Sequence, residues 1–115
     1  MGKPIGVQVK IQLRSGTVET VTVEGWYSER GLAVTRQAYA DGYNVTCIAN
    51  GYRCNLVSIR YRATAHRMLK ELLDITEIDW IQFLPGDMVE AGVKHRLKRL
   101  LQHYKERAQK RLGQV

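Results

Sequence analysis

The stretch IGVQVKIQLR, residues 5–14, alternates apolar and polar side chains along its whole length. A repeat of two is typical of a β-strand with one buried face. The loop Arg14-Ser15-Gly16, with Gly16 at a positive φ, predicts a tight hairpin that sets Val9 opposite Val21. In an extended chain the apolar side chains share one face, and these are Val7, Val9, Ile11 and Leu13.

Two further turn signals extend this pattern through the first half of the chain. Asp41-Gly42 and Asn50-Gly51 are dipeptides that favour two-residue hairpins. The first predicts that a strand over residues 32–40 places Arg36 opposite Cys47, and the second places Cys47 opposite Cys54. Residues 1–58 are therefore predicted to form a four-stranded antiparallel meander. The predicted core face of its last part contains Tyr43, Val45, Cys47, Ala49, Tyr52, Cys54 and Leu56.

The two cysteines are predicted to be reduced core thiols. In the expected register both flank the loop as a hydrogen-bonded pair, whose Cα atoms are too far apart for an easy disulfide. A disulfide or a redox role stays open as the alternative. A zinc site needs further ligands, and His66, His95 and His103 have no recognisable ligand spacing. No metal and no cofactor are therefore expected.

Arg36 does not fit the predicted sheet. The Asp41-Gly42 register puts its side chain on the apolar face, where an unpaired charge is costly. Either a bulge or the sheet edge lets it reach solvent, or a buried acid holds it, or it marks a ligand site.

The second half of the chain changes to a helical period. From Arg62 an apolar stripe at helical spacing predicts a helix that covers the sheet. A short helix capped by Thr76 is expected to carry Ile78, Ile81 and Leu84, and Asp87 is expected to cap a long helix over residues 88–112. The first stripe is Ala65, Met68, Leu69, Leu72 and Leu73, and the last is Val93, Leu97, Leu100, Leu101, Tyr104 and Ala108.

These elements predict an α+β fold in a single domain over residues 1–115. The sheet of residues 1–58 precedes a helical part, residues 59–115, that packs on it. Two or three helices are expected, with a long basic helix last.

Positive charge is concentrated in two parts of the chain. Eighteen Lys and Arg against eleven Asp and Glu give a net charge of +7. Residues 53–70 contain five bases and no acid, residues 71–93 contain six acids and no base, and residues 94–115 are again strongly basic. Such segments favour a polyanion partner, because bases that neutralise phosphates release counterions. The candidate phosphate contacts are Arg53, Arg60, Arg62, Arg67, Lys70, Lys94, Lys98, Arg99, Lys105, Lys110 and Arg111.

The leading hypothesis is a small non-enzymatic protein that binds DNA or RNA through phosphates. Trp26, Tyr27 and Tyr39 are candidates for stacking on bases, with a core role as the alternative for Trp26. No phosphate-binding loop, dinucleotide fingerprint, metalloprotease motif or nucleophile elbow is present, so no enzyme activity is expected. A nucleophile and base pair from Cys47 and His66 is the weakest reading.

The competing hypothesis is a protein–protein interaction module, such as an inhibitor, an adaptor or an assembly subunit. Its alternating charge blocks would bind an acidic protein or a second copy of the chain. Two simpler explanations also stay open: the bases only solvate a helix face, or the acidic block neutralises a basic one. No apolar run is long enough to span a membrane, so no membrane partner and a cytoplasmic or nuclear location are expected.

Overall fold

The structure, a computed structural model, describes residues 4–82 and 90–113, with residue 27 and residues 110–113 described by backbone alone. Four strands form one antiparallel sheet in the order β1-β2-β3-β4, and a helix packs on β3 and β4. The α+β class with an antiparallel sheet is therefore confirmed. The elements are β1 (Ile5–Gln12), β2 (Val18–Glu29), β3 (Leu32–Arg36), β4 (Tyr43–Cys47), α1 (Arg62–Leu73) and α2 (Ala91–Gly113).

The first hairpin has the predicted register. Val7 lies opposite Val23 and Val9 lies opposite Val21. The amide of Leu13 donates to the carbonyl of Thr17 over 2.8 Å, which closes the loop. Gly16 in that loop has a φ of 88°. Local alternation and one glycine are therefore enough to define this pair of strands.

The connection between β3 and β4 differs from the prediction. The strand ends at Arg36, which pairs with Tyr43, so Asp41-Gly42 is not a two-residue hairpin. The Gln37 amide donates to the Gly42 carbonyl over 3.0 Å and closes a wider loop. The Ser58 hydroxyl donates to the Gln37 side chain and holds this loop from a distant part of the chain. A tertiary contact has overridden the local turn signal.

The predicted register after β4 is also wrong. Cys47 donates its amide to the carbonyl of Tyr52, and Cys54 donates to Val45, so the two cysteines are not opposite each other. The loop contains four residues, 48–51, rather than the predicted two. The Gly51 amide donates to the carbonyl of Cys47 across it. Neither Cys47 nor Cys54 forms a disulfide. The segment after the loop acts as a short fifth strand on β4, with an isolated bridge from Arg53 to Thr46.

The sheet curls until its two ends meet. The amide of Lys10 in β1 donates to the carbonyl of Gly51 over 2.9 Å. The concave side is therefore closed, and Thr46, which lies off the predicted core face, is buried there. Its hydroxyl forms a 2.8 Å hydrogen bond with the equally buried hydroxyl of Thr35. Tyr52 and Leu56, assigned to the core face, are exposed instead.

The main core lies between the convex side of the sheet and the helices. Every residue of the predicted α1 stripe is buried, together with Leu32, Val34 and Val45 of the sheet. In α2, Val93 and Tyr104 are buried, and the other residues of its predicted stripe are partly buried. α1 packs on the sheet because both elements have an apolar face to remove from water, and α2 contacts α1.

The expected helix from Thr76 is absent from residues 74–82, which form turns. The side chain of Asp79 accepts from the Ile81 amide over 3.1 Å, and this local turn competes with a helical ladder. The buried Trp80 donates its indole N–H to the carbonyl of Leu72 over 3.2 Å, which fixes the segment against α1. Ile78 is buried and Ile81 is exposed. Leu84 and the cap Asp87 lie outside the described residues, and α2 begins at Ala91.

Candidate functional site

The first basic segment surrounds the start of α1. The guanidinium of Arg60 lies over the ring of Tyr61 at 5.4 Å from its centroid. Arg62 lies over Trp26 at 4.9 Å. The N-cap residue Tyr61 makes no side-chain cap hydrogen bond, and the first turn of α1 contains no acidic residue. The positive end of the helix dipole is therefore not offset by a carboxylate in that turn.

The other three predicted phosphate contacts of this segment are Arg53, Arg67 and Lys70, each with surroundings of its own. Arg53 donates to the carbonyl of Leu56 over 3.3 Å and remains exposed. Arg67 is exposed on α1. The ammonium of Lys70 lies 2.9 Å from a carboxylate oxygen of Glu29, so part of its charge is already neutralised. The neighbouring charges of Arg62 and Lys70 act on His66, whose pKa is lowered first by burial and then by these two cations.

The second basic segment lies along α2. Lys94, Lys98 and Lys105 fall within about 40° of one another at roughly 100° per residue, so they form one row along the helix. Arg99 is exposed on another side of the helix. Lys110 and Arg111 belong to α2, but their side chains lie outside the described part of the chain.

Arg36 reaches solvent at the end of β3. Its guanidinium lies 5.4 Å from the ring centroid of Trp26 and 5.7 Å from that of Tyr43. Glu24 approaches it at 3.6 Å. Trp26 is therefore covered by both Arg36 and Arg62 and is only 8% exposed, which makes it a core residue rather than an open surface for stacking.

The two basic segments meet at one cavity between the sheet and the two helices, which we call the helix cavity. It has a volume of about 310 Å³, and its lining residues include Arg60 just before α1, Thr64 of α1, Tyr104 and Arg107 of α2, and one acid, Asp41, of the β3–β4 loop. Burial and a hydrogen bond to Glu71 raise the pKa of Tyr104, while Arg67 and Arg107 lower it. Arginines from distant parts of the chain therefore act on the same phenol.

Arg107 was not among the predicted contacts, although it is one turn from Tyr104 on the helix. Its position next to the apolar stripe of α2 is the sequence feature that could have identified it as a residue near the core. Arg36 stands out in the sequence only because its charge does not fit the predicted apolar face of the sheet.

The acidic segment neutralises part of this charge. Arg96 donates to the carboxylate of Glu77 over 2.6 Å, and this hydrogen bond is the main reason why the pKa of Glu77 is lowered. Both side chains are about half exposed, so the pair adds little to stability. One link between the acidic and the second basic segment thus exists within the chain.

A second cavity lies on the concave side of the sheet, and we call it the sheet groove. Its volume is about 470 Å³. Lys10 and Gln12 of β1 line one side, the loop with Tyr39 lines another, and Tyr52 and Arg53 line the end where the sheet closes.

The cysteines have surroundings that suppress reactivity. Cys47 is buried and its thiol donates to the carbonyl of Trp80 over 3.5 Å. Burial, with a smaller contribution from Cys47, raises the pKa of Cys54 to about 12. Among the residues that the structure describes, no group of three His, Cys, Asp or Glu side chains is placed to hold a metal ion.

Alkylation of Cys54 by iodoacetamide at pH 8 is expected to be at least about 100-fold slower in the folded protein than in urea, because the thiolate is the reacting form. Mass spectrometry of the labelled protein against time measures both rates, and a Cys47→Ala variant assigns them to Cys54. Equal rates in the two states would contradict the burial of this thiol and reopen a redox or nucleophilic role.

No protein-family model, curated protein or solved structure matches this chain. No helix within residues 4–82 and 90–113 is long and apolar enough to cross a membrane.

Proposed function

We propose that this protein is a small non-enzymatic nucleic-acid-binding protein whose basic side chains contact phosphates. The observation that carries the proposal is the lack of internal neutralisation at the predicted contacts. Eight of the eleven make no ion pair with a carboxylate of the described residues: Arg53, Arg60, Arg62, Arg67, Lys94, Lys98, Arg99 and Lys105. Lys70 is paired with Glu29, and the side chains of Lys110 and Arg111 lie outside the described part of the chain.

The helix cavity adds support, since it joins the two basic segments. Arg60 and Arg107 line the same space although the acidic segment separates them in sequence. Positive charges that converge on one surface attract a phosphate backbone more strongly than the same charges spread over the molecule. Arginine suits this role because its planar guanidinium donates two parallel hydrogen bonds to a phosphate.

A protein–protein interaction module is the second candidate function. A cavity of about 410 Å³, lined mainly by apolar residues such as Trp80, Leu97 and Leu101, lies beside the exposed Tyr52. Leu56 is also exposed, at 46%. Apolar surface of this kind is typical of contacts with another protein.

Binding of fluorescently labelled single- and double-stranded DNA and RNA across about 50 to 300 mM salt tests the proposal. We expect log affinity to fall linearly with log salt concentration, with a slope of about 0.7 to 0.9 for each phosphate neutralised. Six contacts would therefore give a slope of roughly 4 to 5. Absence of binding at the lowest salt would contradict the proposal and favour the interaction module, for which sedimentation of the protein at several concentrations is the next measurement.

A further inference from the structure

The sheet groove contains positive charge and no carboxylate in its lining. Lys10, Arg36 and Arg53 line it, and none of its lining residues is Asp or Glu, although the Arg36 guanidinium lies 3.6 Å from the carboxylate of Glu24. Lys10 extends over the ring of Tyr52, with its ammonium 5.7 Å from the centroid. Lys10 and Arg53 therefore favour an anionic occupant. Side-chain amides complete the polar lining, and these are Gln12, Gln37 and Asn44.

Two tyrosines offer ring faces at the same groove. Tyr39 is 66% exposed and Tyr52 is 37% exposed, although both line the cavity. The hydroxyl of Tyr39 donates to Glu19 over 2.8 Å, which holds the exposed ring in one place. Exposed aromatic rings beside cations are the usual means of binding unpaired bases, each worth about 1–3 kcal/mol in alanine substitutions.

The groove owes its shape to the closure of the sheet. The Lys10 amide hydrogen bond to Gly51 brings β1 against the segment that contains Tyr52. A Cβ at position 51 would lie 3.3 Å from the Gln8 carbonyl oxygen, a tight contact, and the φ of 79° there favours glycine. Cations and aromatic rings from the two ends of the sheet thus share one cavity.

We propose that the sheet groove binds a single-stranded segment of nucleic acid, with its bases on Tyr39 and Tyr52 and its phosphates on Lys10 and Arg53. This inference rests on the proposed function and specifies its substrate class. Unpaired bases expose the faces that stack on tyrosine, whereas a duplex keeps them stacked internally. Glutamine and asparagine amides both donate and accept, which suits base edges. An acidic peptide would use the cations and leave the two rings without a partner of matching shape.

The test compares a Tyr39→Leu/Tyr52→Leu variant with a Tyr39→Phe/Tyr52→Phe variant, because leucine removes the aromatic ring and phenylalanine keeps it. Fluorescence anisotropy uses three labelled probes at about 50 mM salt: a 12-mer of thymidine, a 12-base-pair duplex and a polyglutamate 12-mer. For the single strand we expect a loss of about tenfold or more with leucine, since 1.4 kcal/mol corresponds to a factor of about ten. The phenylalanine variant should stay within about threefold of the original protein, and duplex affinity should change less than about twofold.

Different failures point to different errors. If the original protein binds neither nucleic acid, both the proposed function and this inference are wrong. If it binds both and the leucine variant weakens neither, or weakens both equally, the proposed function stands and the groove is not the single-strand site. Tight polyglutamate binding that is lost in the leucine variant would make an acidic peptide the occupant.

A measurement without substitution guards against a leucine variant that folds poorly. In an NMR titration of the unaltered protein with the thymidine 12-mer, we expect the largest amide shifts at residues 10–12, 39 and 51–53. Shifts confined to α1 and α2 would overturn the inference.

Discussion

Replacing Arg60 and Arg107 together with Gln is expected to weaken binding of double-stranded DNA by about tenfold or more at about 100 mM salt. Two lost phosphate contacts should also reduce the slope of log affinity against log salt by about 1.8 for a duplex and about 1.4 for a single strand. We expect a large effect because Arg60 and Arg107 line the same cavity, where the two cations would contact neighbouring phosphates of the backbone. Anisotropy titrations at four or five salt concentrations measure it.

The matched control is Arg14→Gln with Arg96→Gln, which removes the same number of positive charges elsewhere. Arg14 lies in the first hairpin loop, and Arg96 is already paired with Glu77. This variant should change the slope by less than about half a unit, because neither residue is expected to contact phosphate. If the control changes the slope as much as the Arg60 and Arg107 variant does, net charge rather than the helix cavity governs binding.

Replacing Gly31 with Ala is expected to lower the free energy of unfolding by about 3 kcal/mol. Gly31 has a φ of 92°, which costs a non-glycine residue about 1–2 kcal/mol. In addition, a Cβ there would lie 2.8 Å from backbone atoms of Trp80 and of Ile81, so the β2–β3 turn and the segment after α1 would have to separate. Overpacking of this kind typically costs about 2 kcal/mol more.

Gly16→Ala separates the two contributions. Gly16 has a similar φ of 88°, and an added Cβ would meet nothing within 4 Å. We therefore expect a loss of only about 1 kcal/mol, from backbone strain alone. Urea unfolding followed by circular dichroism compares the two variants, and equal losses would mean that the turn does not pack against Trp80 as described.

The parts of the fold that local sequence controls were predictable. Alternation in residues 5–14 together with Gly16 determined the first hairpin and its register. The α1 stripe was correct at every position because the apolar face of that helix is buried in the main core, where it packs on β3 and β4. In both cases the nearest neighbours in sequence carry the information.

The predictions that were wrong concern segments whose conformation depends on contacts with distant parts of the chain. Asp41-Gly42 and Asn50-Gly51 both read as tight hairpins, yet Ser58 holds the first loop open and the contact between Lys10 and Gly51 governs the second. The same closure buries Thr46, which the predicted register leaves off the core face. No period in the sequence encodes that a sheet will curl far enough for its ends to meet.

The candidate site also has a part that the sequence predicts and a part that depends on tertiary packing. Residue types were sufficient to identify the basic segments, since charge is a property of composition. Their convergence on the helix cavity required the packing of α1 against α2, so Arg107 was missed. Tyr52 was assigned to the core because the predicted register extended the apolar face through it, whereas the curl leaves it at the sheet groove.

The closure of the sheet has a consequence for self-assembly. The outer strands of an open sheet expose unpaired N–H and C=O groups, which act as a template for strand addition by other molecules. Here the outward Lys10 amide of β1 is occupied by Gly51, and β4 is covered by Ile59, which exchanges two backbone hydrogen bonds with Tyr43. The charged side chain of Lys10 further disfavours a flat neighbour at that edge. The contact that forms the groove therefore also protects this small sheet from edge-to-edge aggregation.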